Sequence, residues 1–219
     1  MPDLSPFAAS LGIALLTIFM LWFALGTQRN IRKGNELLAW LQTGLPLLGQ
    51  RTTLRWLGSS VVELRLVEPS DPFRDVTVMA VLEPRDMSLL WALARRRGRR
   101  DFLIFRCDLR RAPRLALEVG ARESWTGRDR PRAYDEEPWT AADWGGDTSV
   151  LLGNGADSSV ARDLWRRLER VSGGPWRLSV RRTVPHLEVH VLPPDLQRVK
   201  AAQLAGTVRE IAQELVRER

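Results

Sequence analysis

The sequence predicts an α+β protein in which one N-terminal transmembrane helix precedes a single domain of antiparallel sheet with helices packed on it. Three observations support this fold class: an uncharged apolar run at residues 7–26, segments whose apolar residues alternate with polar ones, and segments with apolar residues at helical spacing. We therefore divide the chain into a membrane anchor, residues 1–28, and one α+β domain, residues 29–219.

The apolar run at residues 7–26 is long enough for a helix to cross the roughly 30 Å hydrocarbon core of a bilayer. A buried helix of a soluble domain normally carries a polar stripe, whereas Ser10 and Thr17 are the only polar side chains of this run. A cleaved signal peptide has a basic start and a small-residue cleavage site, and residues 1–28 have neither. We expect an uncleaved, single-pass membrane anchor.

The residues around the end of the run predict its orientation. Trp22 and Phe23 lie where aromatic rings favour the headgroup level. Arg29, Arg32 and Lys33 follow directly, and such membrane-flanking cations normally remain on the cytoplasmic side. We therefore expect a cell-membrane protein with its N-terminus outside and its C-terminal domain in the cytoplasm.

Composition narrows the class of protein further. The chain has 219 residues, a net charge of +7 and one cysteine, Cys107, which fits a reducing compartment. All basic residues except Lys33 and Lys200 are arginine, which reflects either a binding need or a GC-rich genome. A basic domain at the cytoplasmic surface attracts anionic lipid headgroups or RNA.

After the anchor, the predicted order is α-β-β-α-β-β, a loop, then α-β-β-α. Met87, Leu90, Trp91 and Ala94 form the apolar stripe of the second helix, which Pro84 begins. Neighbouring strands usually pair, so the next two strands are expected to form an antiparallel hairpin. In this first half we predict a helix over 30–48, strands at 62–66 and 76–82, the helix from 84 to 97, and strands at 103–109 and 115–119.

The second half begins with an irregular insertion at about residues 120–148, whose tryptophans are suited to pin it to the domain. Ser158 or Ser159 caps the next helix, and Asp195 starts the last one. We predict a helix to about residue 171 with Leu164, Trp165 and Leu168 inward, strands at 176–180 and 187–191, and a helix over 195–217.

No residue pattern predicts an enzyme, a cofactor or a metal site. His186, Glu188 and His190 share one face of a strand, but the two histidines are about 13 Å apart, too far for one ion. Cys107 is expected to be a buried apolar residue with no basic partner. The turn at residues 153–155 lacks the lysine and threonine of a P-loop, and the acids of the insertion have no rigid frame. No small-molecule substrate is evident.

Arginines concentrate at the end of the second helix and around the following predicted hairpin. Together they are candidates for binding the phosphates of RNA or of lipid headgroups. The alternative is a solvated helix end and hairpin tip. The candidate residues are Arg95, Arg96, Arg97, Arg99, Arg100, Arg110, Arg111 and Arg114.

Four short motifs along the domain carry a resemblance to a known family: Gly34-Asn35-x-Leu37 with Trp40, Trp56-x-Gly58, Arg85-Asp86 followed by residues 89–95 (LLWALAR), and Leu117-Glu118-Val119-Gly120. With these motifs the chain resembles the calumin-type family, coiled-coil-domain-containing membrane proteins of the endoplasmic reticulum that form a subunit of the translocon-associated PAT complex. This chain would be a distant prokaryotic relative. The family's acidic lumenal region and its long basic coiled-coil tail have no counterpart here.

The resemblance implies a non-enzymatic scaffold or chaperone in membrane-protein biogenesis. Its partners would be the translocon or insertase and the ribosome, and the arginines at 95–114 would replace the missing tail in ribosomal RNA contact. The rival hypothesis, from the residues alone, is a membrane-tethered module that binds anionic lipid or an envelope protein through the 120–148 insertion.

Overall fold

The computed structural model describes residues 5–122, 139–153 and 155–217 of the chain. These residues form four α-helices and one nine-stranded sheet. The helices are α1 (Ser5–Leu41), α2 (Ser88–Arg96), α3 (Ser158–Val171) and α4 (Ala201–Val216). The strands are β1 (Gly49–Leu57), β2 (Val61–Pro69), β3 (Phe73–Val81), β4 (Phe102–Leu109), β5 (Leu117–Ala121), β6 (Thr140–Ala142), β7 (Thr148–Leu152), β8 (Pro175–Val180) and β9 (Leu187–Val191).

The strands follow the order β1-β2-β3-β4-β9-β8-β5-β7-β6, and each neighbouring pair is antiparallel. The predicted α+β class is thus confirmed. The predicted hairpin of β4 with β5 is wrong, because the β8–β9 hairpin lies between these two strands. Both are central strands that need a partner on each side, and alternation identifies a strand without identifying its neighbour.

Helices cover one face of the sheet. The C-terminal part of α1 contributes Leu37, Leu38 and Leu41 to the same buried cluster as α3 and α4. Full burial of one such leucine side chain contributes about 1.5–3 kcal/mol. The predicted inward residues of α3, Leu164, Trp165 and Leu168, are confirmed as buried. The apolar spacing over 195–217 also predicts one stripe for the last helix: Leu204, Val208, Ile211 and Leu215 of that stripe are buried in α4, whereas Leu196 and Val199 are half-buried and precede the helix.

Three helices begin elsewhere than predicted. Asp157 rather than a serine caps α3, since its carboxylate accepts the Ser159 N–H at 2.6 Å. Residues 195–200 form a turn, in which Asp195 accepts the Gln197 N–H at 3.0 Å, so α4 starts six residues late. Pro84 does not begin α2 either, because the residues between Pro84 and Ser88 form a turn.

The insertion at 120–148 is less irregular than predicted. It contains the last two residues of β5, all of β6 and the first residue of β7. Trp144 pins it to α3, because the indole N–H donates to the Ser158 hydroxyl at 2.8 Å and Arg162 lies 5.3 Å over the ring. Residues 123–138, including Trp125 and the acids at 135–137, lie outside the described residues.

Strand β1 was not predicted, because it lies at the edge of the sheet and almost all of its residues are exposed. A strand that buries neither face has no reason to alternate. Gln50, Arg51, Thr52 and Thr53 accordingly show no apolar pattern.

Helix α1 continues without a break from the apolar run into the domain, so the two predicted helices are one. It runs antiparallel to β1: Asn30 lies at the β1–β2 turn, Gly34 beside Trp56, and Leu41 near the start of β1. The apolar run therefore projects from one end of the sheet. We call this the proximal end, and the opposite one, with residues 69–73 and 109–116, the distal end.

Candidate functional site at the proximal end

Within the described residues, α1 is the one helix long and apolar enough to cross a membrane, and its most apolar stretch is exposed along its whole length. The run ends at Gly26, where α1 meets the segment before α2. A Cβ at Gly26 would lie 2.2 Å from the Arg85 carbonyl oxygen and 2.6 Å from the Asp86 Cα. Only glycine allows backbone to approach a helix this closely.

One turn further along α1, Asn30 is fully buried and all of its amide groups are paired. Its NH₂ group donates to the Glu83 carbonyl at 3.0 Å and to the Ser60 hydroxyl at 3.3 Å. Its oxygen accepts from the Arg85 guanidinium at 3.1 Å, and this guanidinium makes two 2.9 Å bonds to Asp101. A buried network with every member satisfied fixes one geometry. We call Asn30, Glu83, Arg85 and Asp101 the junction.

The junction also holds α2 in place. The buried Glu83 carboxylate accepts the Trp91 indole N–H at 2.5 Å and lies 3.3 Å from the Arg95 guanidinium, which also stacks over the Trp91 ring. Asp86 accepts from the Ser59 hydroxyl at 2.5 Å. Thus one side of α2 is bonded to the same residues that hold α1.

The other side of α2 is exposed, which corrects the expectation of a stripe packed on the core. Met87 and Leu90 of that stripe are exposed, and so are Leu89 and Leu93. Trp91 lines a crevice of about 230 Å³ between α2 and α1, whose other lining residues are Trp22, Leu25, Gly26, Arg29 and Arg85. Of the predicted stripe, which lies wholly within the described residues, Trp91 alone lines this crevice.

The arginines that follow α2 surround its C-terminal end. Arg100 donates to the carbonyls of Arg95 and Arg99 at 3.0 and 2.8 Å, which satisfies groups at the helix end. Burial lowers the pKa of Arg99, against the opposing charges of Glu83 and Asp101. The side chains of Arg96 and Arg97 are exposed. We call Arg95, Arg96, Arg97, Arg99 and Arg100 the proximal arginines.

The three remaining candidate arginines lie at the other end of the sheet. Arg110, Arg111 and Arg114, the distal arginines, follow the end of β4, and Arg110 lies 3.7 Å from Asp71. Strand β4 separates the two groups by roughly 23 Å at about 3.3 Å per residue. The structure therefore does not bring the eight arginines together into one patch.

The cations after the apolar run lie at the proximal level. Arg29, Arg32 and Lys33 are all exposed on α1, within two turns of Gly26. Together with the proximal arginines they place positive charge at the proximal end, where the apolar run meets the domain. The structure thus brings together flanking residues and arginines that are about 65 positions apart in sequence.

The histidine-containing strand has a structural explanation. His186 is buried and its Nδ1 accepts the Leu109 N–H at 2.9 Å, while burial lowers its pKa against the opposing charge of Asp108. His190 Nε2 lies 2.9 Å from Glu188 Oε1. Among the described residues, no three His, Cys, Asp or Glu side chains converge as metal ligands would.

Glu188 belongs to a group of charges on the face of the sheet opposite α3 and α4. Arg106 and Arg177 lie near its carboxylate, and Arg177 also bonds Glu118. Burial acts to raise the pKa of Glu188, but the hydrogen bond and charge of His190 and the two arginines outweigh it and lower the pKa to about 2. This carboxylate is ionised at neutral pH and stabilises the fold there.

The junction residues were not singled out from the sequence. Asn30 contacts Ser60, Glu83 and Arg85 across 30 to 55 residues, and no local pattern marks such pairs. The one sequence feature that points to this site is Gly26, the glycine that ends the apolar run. No protein-family model matches this chain, and no curated protein is detectably similar to it.

Proposed function

We propose that this protein is a single-pass membrane protein whose domain is a non-enzymatic binding module held at the cytoplasmic membrane surface, where it contacts anionic lipid. The observation that carries the proposal is the continuity of α1, which passes from an exposed apolar run into the buried core without a break. The junction leaves no flexible linker between them. The flanking cations support a cytoplasmic domain.

The test is extraction and topology of the full chain in native membranes. An anchored protein stays in the pellet after alkaline carbonate washing, and a protease added to the cytoplasmic side digests the domain. Release into the carbonate supernatant would contradict the anchor, and digestion from the outer side alone would contradict the orientation.

A second candidate is the scaffold or chaperone in membrane-protein insertion that the family resemblance implies. The observation in its favour is the distal group Arg110, Arg111 and Arg114, exposed at the end that faces away from the proposed membrane. Such a group is suited to ribosomal RNA, whose contacts weaken steeply with salt.

Co-sedimentation of the detergent-solubilised full chain with ribosomes at low salt tests this candidate. Replacing the distal arginines by glutamine should abolish binding, whereas Arg96→Gln with Arg97→Gln, a matched change at the proximal end, should not. If the unmodified chain does not sediment with ribosomes and does not co-purify with translocon components, the scaffold hypothesis fails.

A further inference from the structure

Helix α2 presents three leucines on one side, away from the domain. Residues three and four apart are neighbours on a helix, so Leu93 lies beside both Leu89 and Leu90. Their exposed fractions are 85% for Leu89, 50% for Leu90 and 46% for Leu93. The opposite side of the helix, with Trp91, is bonded to Glu83. Contiguous exposed apolar surface of this kind marks an interaction site.

The level of α2 along the apolar run identifies that partner. The segment that starts α2 contacts α1 at Gly26, the last residue of the run. Trp22, about 6 Å further along the helix at 1.5 Å per residue, lines the same crevice as Trp91. In a bilayer spanned by residues 7–26, α2 therefore lies at the boundary between headgroups and acyl chains, where tryptophan rings concentrate.

The charges on and around α2 indicate which kind of membrane surface it would bind. Helix α2 contains no acidic residue, and its C-terminal end carries the proximal arginines. The flanking cations of α1 lie at the same level. A helix with leucines on one side and arginines at its end matches the surface of an anionic membrane, because the acyl chains cover the leucines and the phosphates pair with the guanidinium groups.

We infer that α2 is an interfacial helix, which inserts Leu89, Leu90 and Leu93 into the leaflet at the C-terminal end of the apolar run and binds anionic phospholipid through the proximal arginines. This inference rests on the proposed membrane anchor and names the lipid contact of the module. A second copy of the chain, or another protein, is the occupant that the experiment must exclude.

The experiment places an environment-sensitive fluorophore on the full chain in nanodiscs of phosphatidylcholine, with or without phosphatidylglycerol. The variants are Leu93→Cys on α2, Val184→Cys as a matched site at the distal end with 54% exposure, and Leu16→Cys in the apolar run. Cys107 stays unlabelled, because it is fully buried and burial raises the pKa of its thiol.

The label at position 93 should be quenched by lipid spin-labelled near the headgroup, and several-fold less by aqueous acrylamide than the label at 184. Phosphatidylglycerol should increase this difference in acrylamide quenching between positions 93 and 184. The double substitution Arg96→Gln with Arg97→Gln should abolish the effect of phosphatidylglycerol. The control substitution Arg114→Gln with Arg182→Gln, at two exposed arginines of the distal end, should leave that effect unchanged.

Three results would overturn the inference. Acrylamide access at 93 equal to that at 184 means that α2 is solvated. Protection at 93 without quenching by lipid means that a protein covers it. Quenching at 93 that does not change with phosphatidylglycerol means that α2 does not bind anionic lipid. If acrylamide also quenches the label at position 16, the proposed membrane anchor is wrong. If lipid spin-labelled deep in the bilayer quenches the label at 16 while the label at 93 is solvated, the anchor stands and only the interfacial role of α2 is refuted.

Discussion

At the scale of single residues, the junction depends on a few side chains that have no equivalent elsewhere in α1. Asn30 is the polar residue that connects the helix to the sheet, and Gly26 is the position at which the helix and the segment before α2 touch. Both lie in the turns where the apolar run gives way to the domain. Substitutions at these two positions should therefore have effects that neighbouring residues of the same type do not show.

Replacing Asn30 by leucine should destabilise the domain by about 1–3 kcal/mol, because the Arg85 guanidinium and the Glu83 carbonyl lose a buried partner. Urea unfolding of the full chain in detergent, followed by tryptophan fluorescence, measures this. Asn35→Leu is the control, since Asn35 is exposed on the same helix and its change should stay within about 0.5 kcal/mol. Equal losses of stability from the two substitutions would mean that the Asn30 hydrogen bonds of the junction do not stabilise the domain.

Gly26→Ala should loosen α2, because the new methyl group would lie 2.2 Å from the Arg85 carbonyl oxygen. Gly12→Ala is a control in the same helix, where no atom lies within 4 Å of the added group. The measurement is the rate of limited trypsin cleavage after Arg96 and Arg97 in the full chain. Faster cleavage is expected for the variant at 26 alone, and unchanged rates in both variants would contradict the close contact.

Glu188→Gln should lower the free energy of unfolding at pH 7 by on the order of 3 kcal/mol, the equivalent of a pKa lowered from 4.5 to about 2. The folded-state pKa is depressed, so this stabilisation is present above pH 4.5 and is lost as the pH falls towards 2. Unfolding curves of the full chain across that window should converge for the two proteins. Glu214→Gln, at an exposed ion pair, should change little at any pH.

At the scale of elements, the sequence indicated which segments are helices and strands wherever one side is buried. The stripes of α3 and α4 show this, because their leucines pack on the sheet. Strand β1 buries neither face, and β4 gives no sign that β9 rather than β5 is its neighbour. Such pairings depend on contacts between distant parts of the chain, which periodicity does not encode.

For helix α2, the sequence identified the apolar pattern but not what surrounds the apolar side chains. Met87 and Leu90 of its predicted core stripe are exposed, and so are Leu89 and Leu93, which were not part of that stripe. Hydrophobic spacing reports that a side is apolar and leaves open whether protein or lipid covers it. The sequence likewise shows where the candidate arginines concentrate, at a helix end and near the next predicted hairpin. It does not show that β4, which lies between them, keeps the two groups at opposite ends of the sheet.

Leu90→Ala should change the unfolding free energy in detergent by no more than about 0.5 kcal/mol, because this side chain contributes little to the core. Leu204→Ala, at a fully buried position of α4, should cost about 2–5 kcal/mol. Urea unfolding of the full-length variants gives both values. A large loss of unfolding free energy in Leu90→Ala would mean that Leu90 packs on the core, as the sequence alone predicted.

At the scale of the whole molecule, α1 makes the domain an extension of the apolar run. A flexible linker after the run would let the domain sample any orientation at the surface. Here the helix continues for four turns beyond Gly26, and Asn30 and Leu37 fix it to the sheet. In the proposed membrane, the proximal end therefore always faces the bilayer and the distal end always faces away from it.

The most direct test of this rigid attachment is the distance between spin labels at Leu16→Cys and Val184→Cys, one in the apolar run and one at the distal end, measured by pulsed electron paramagnetic resonance in nanodiscs. Because Cys107 is buried, the spin label reacts only with the two introduced cysteines. A single narrow distance distribution is predicted, which Asn30→Leu should broaden. A broad distribution in the unmodified protein would mean that the domain swings freely from its anchor, and it would contradict the account.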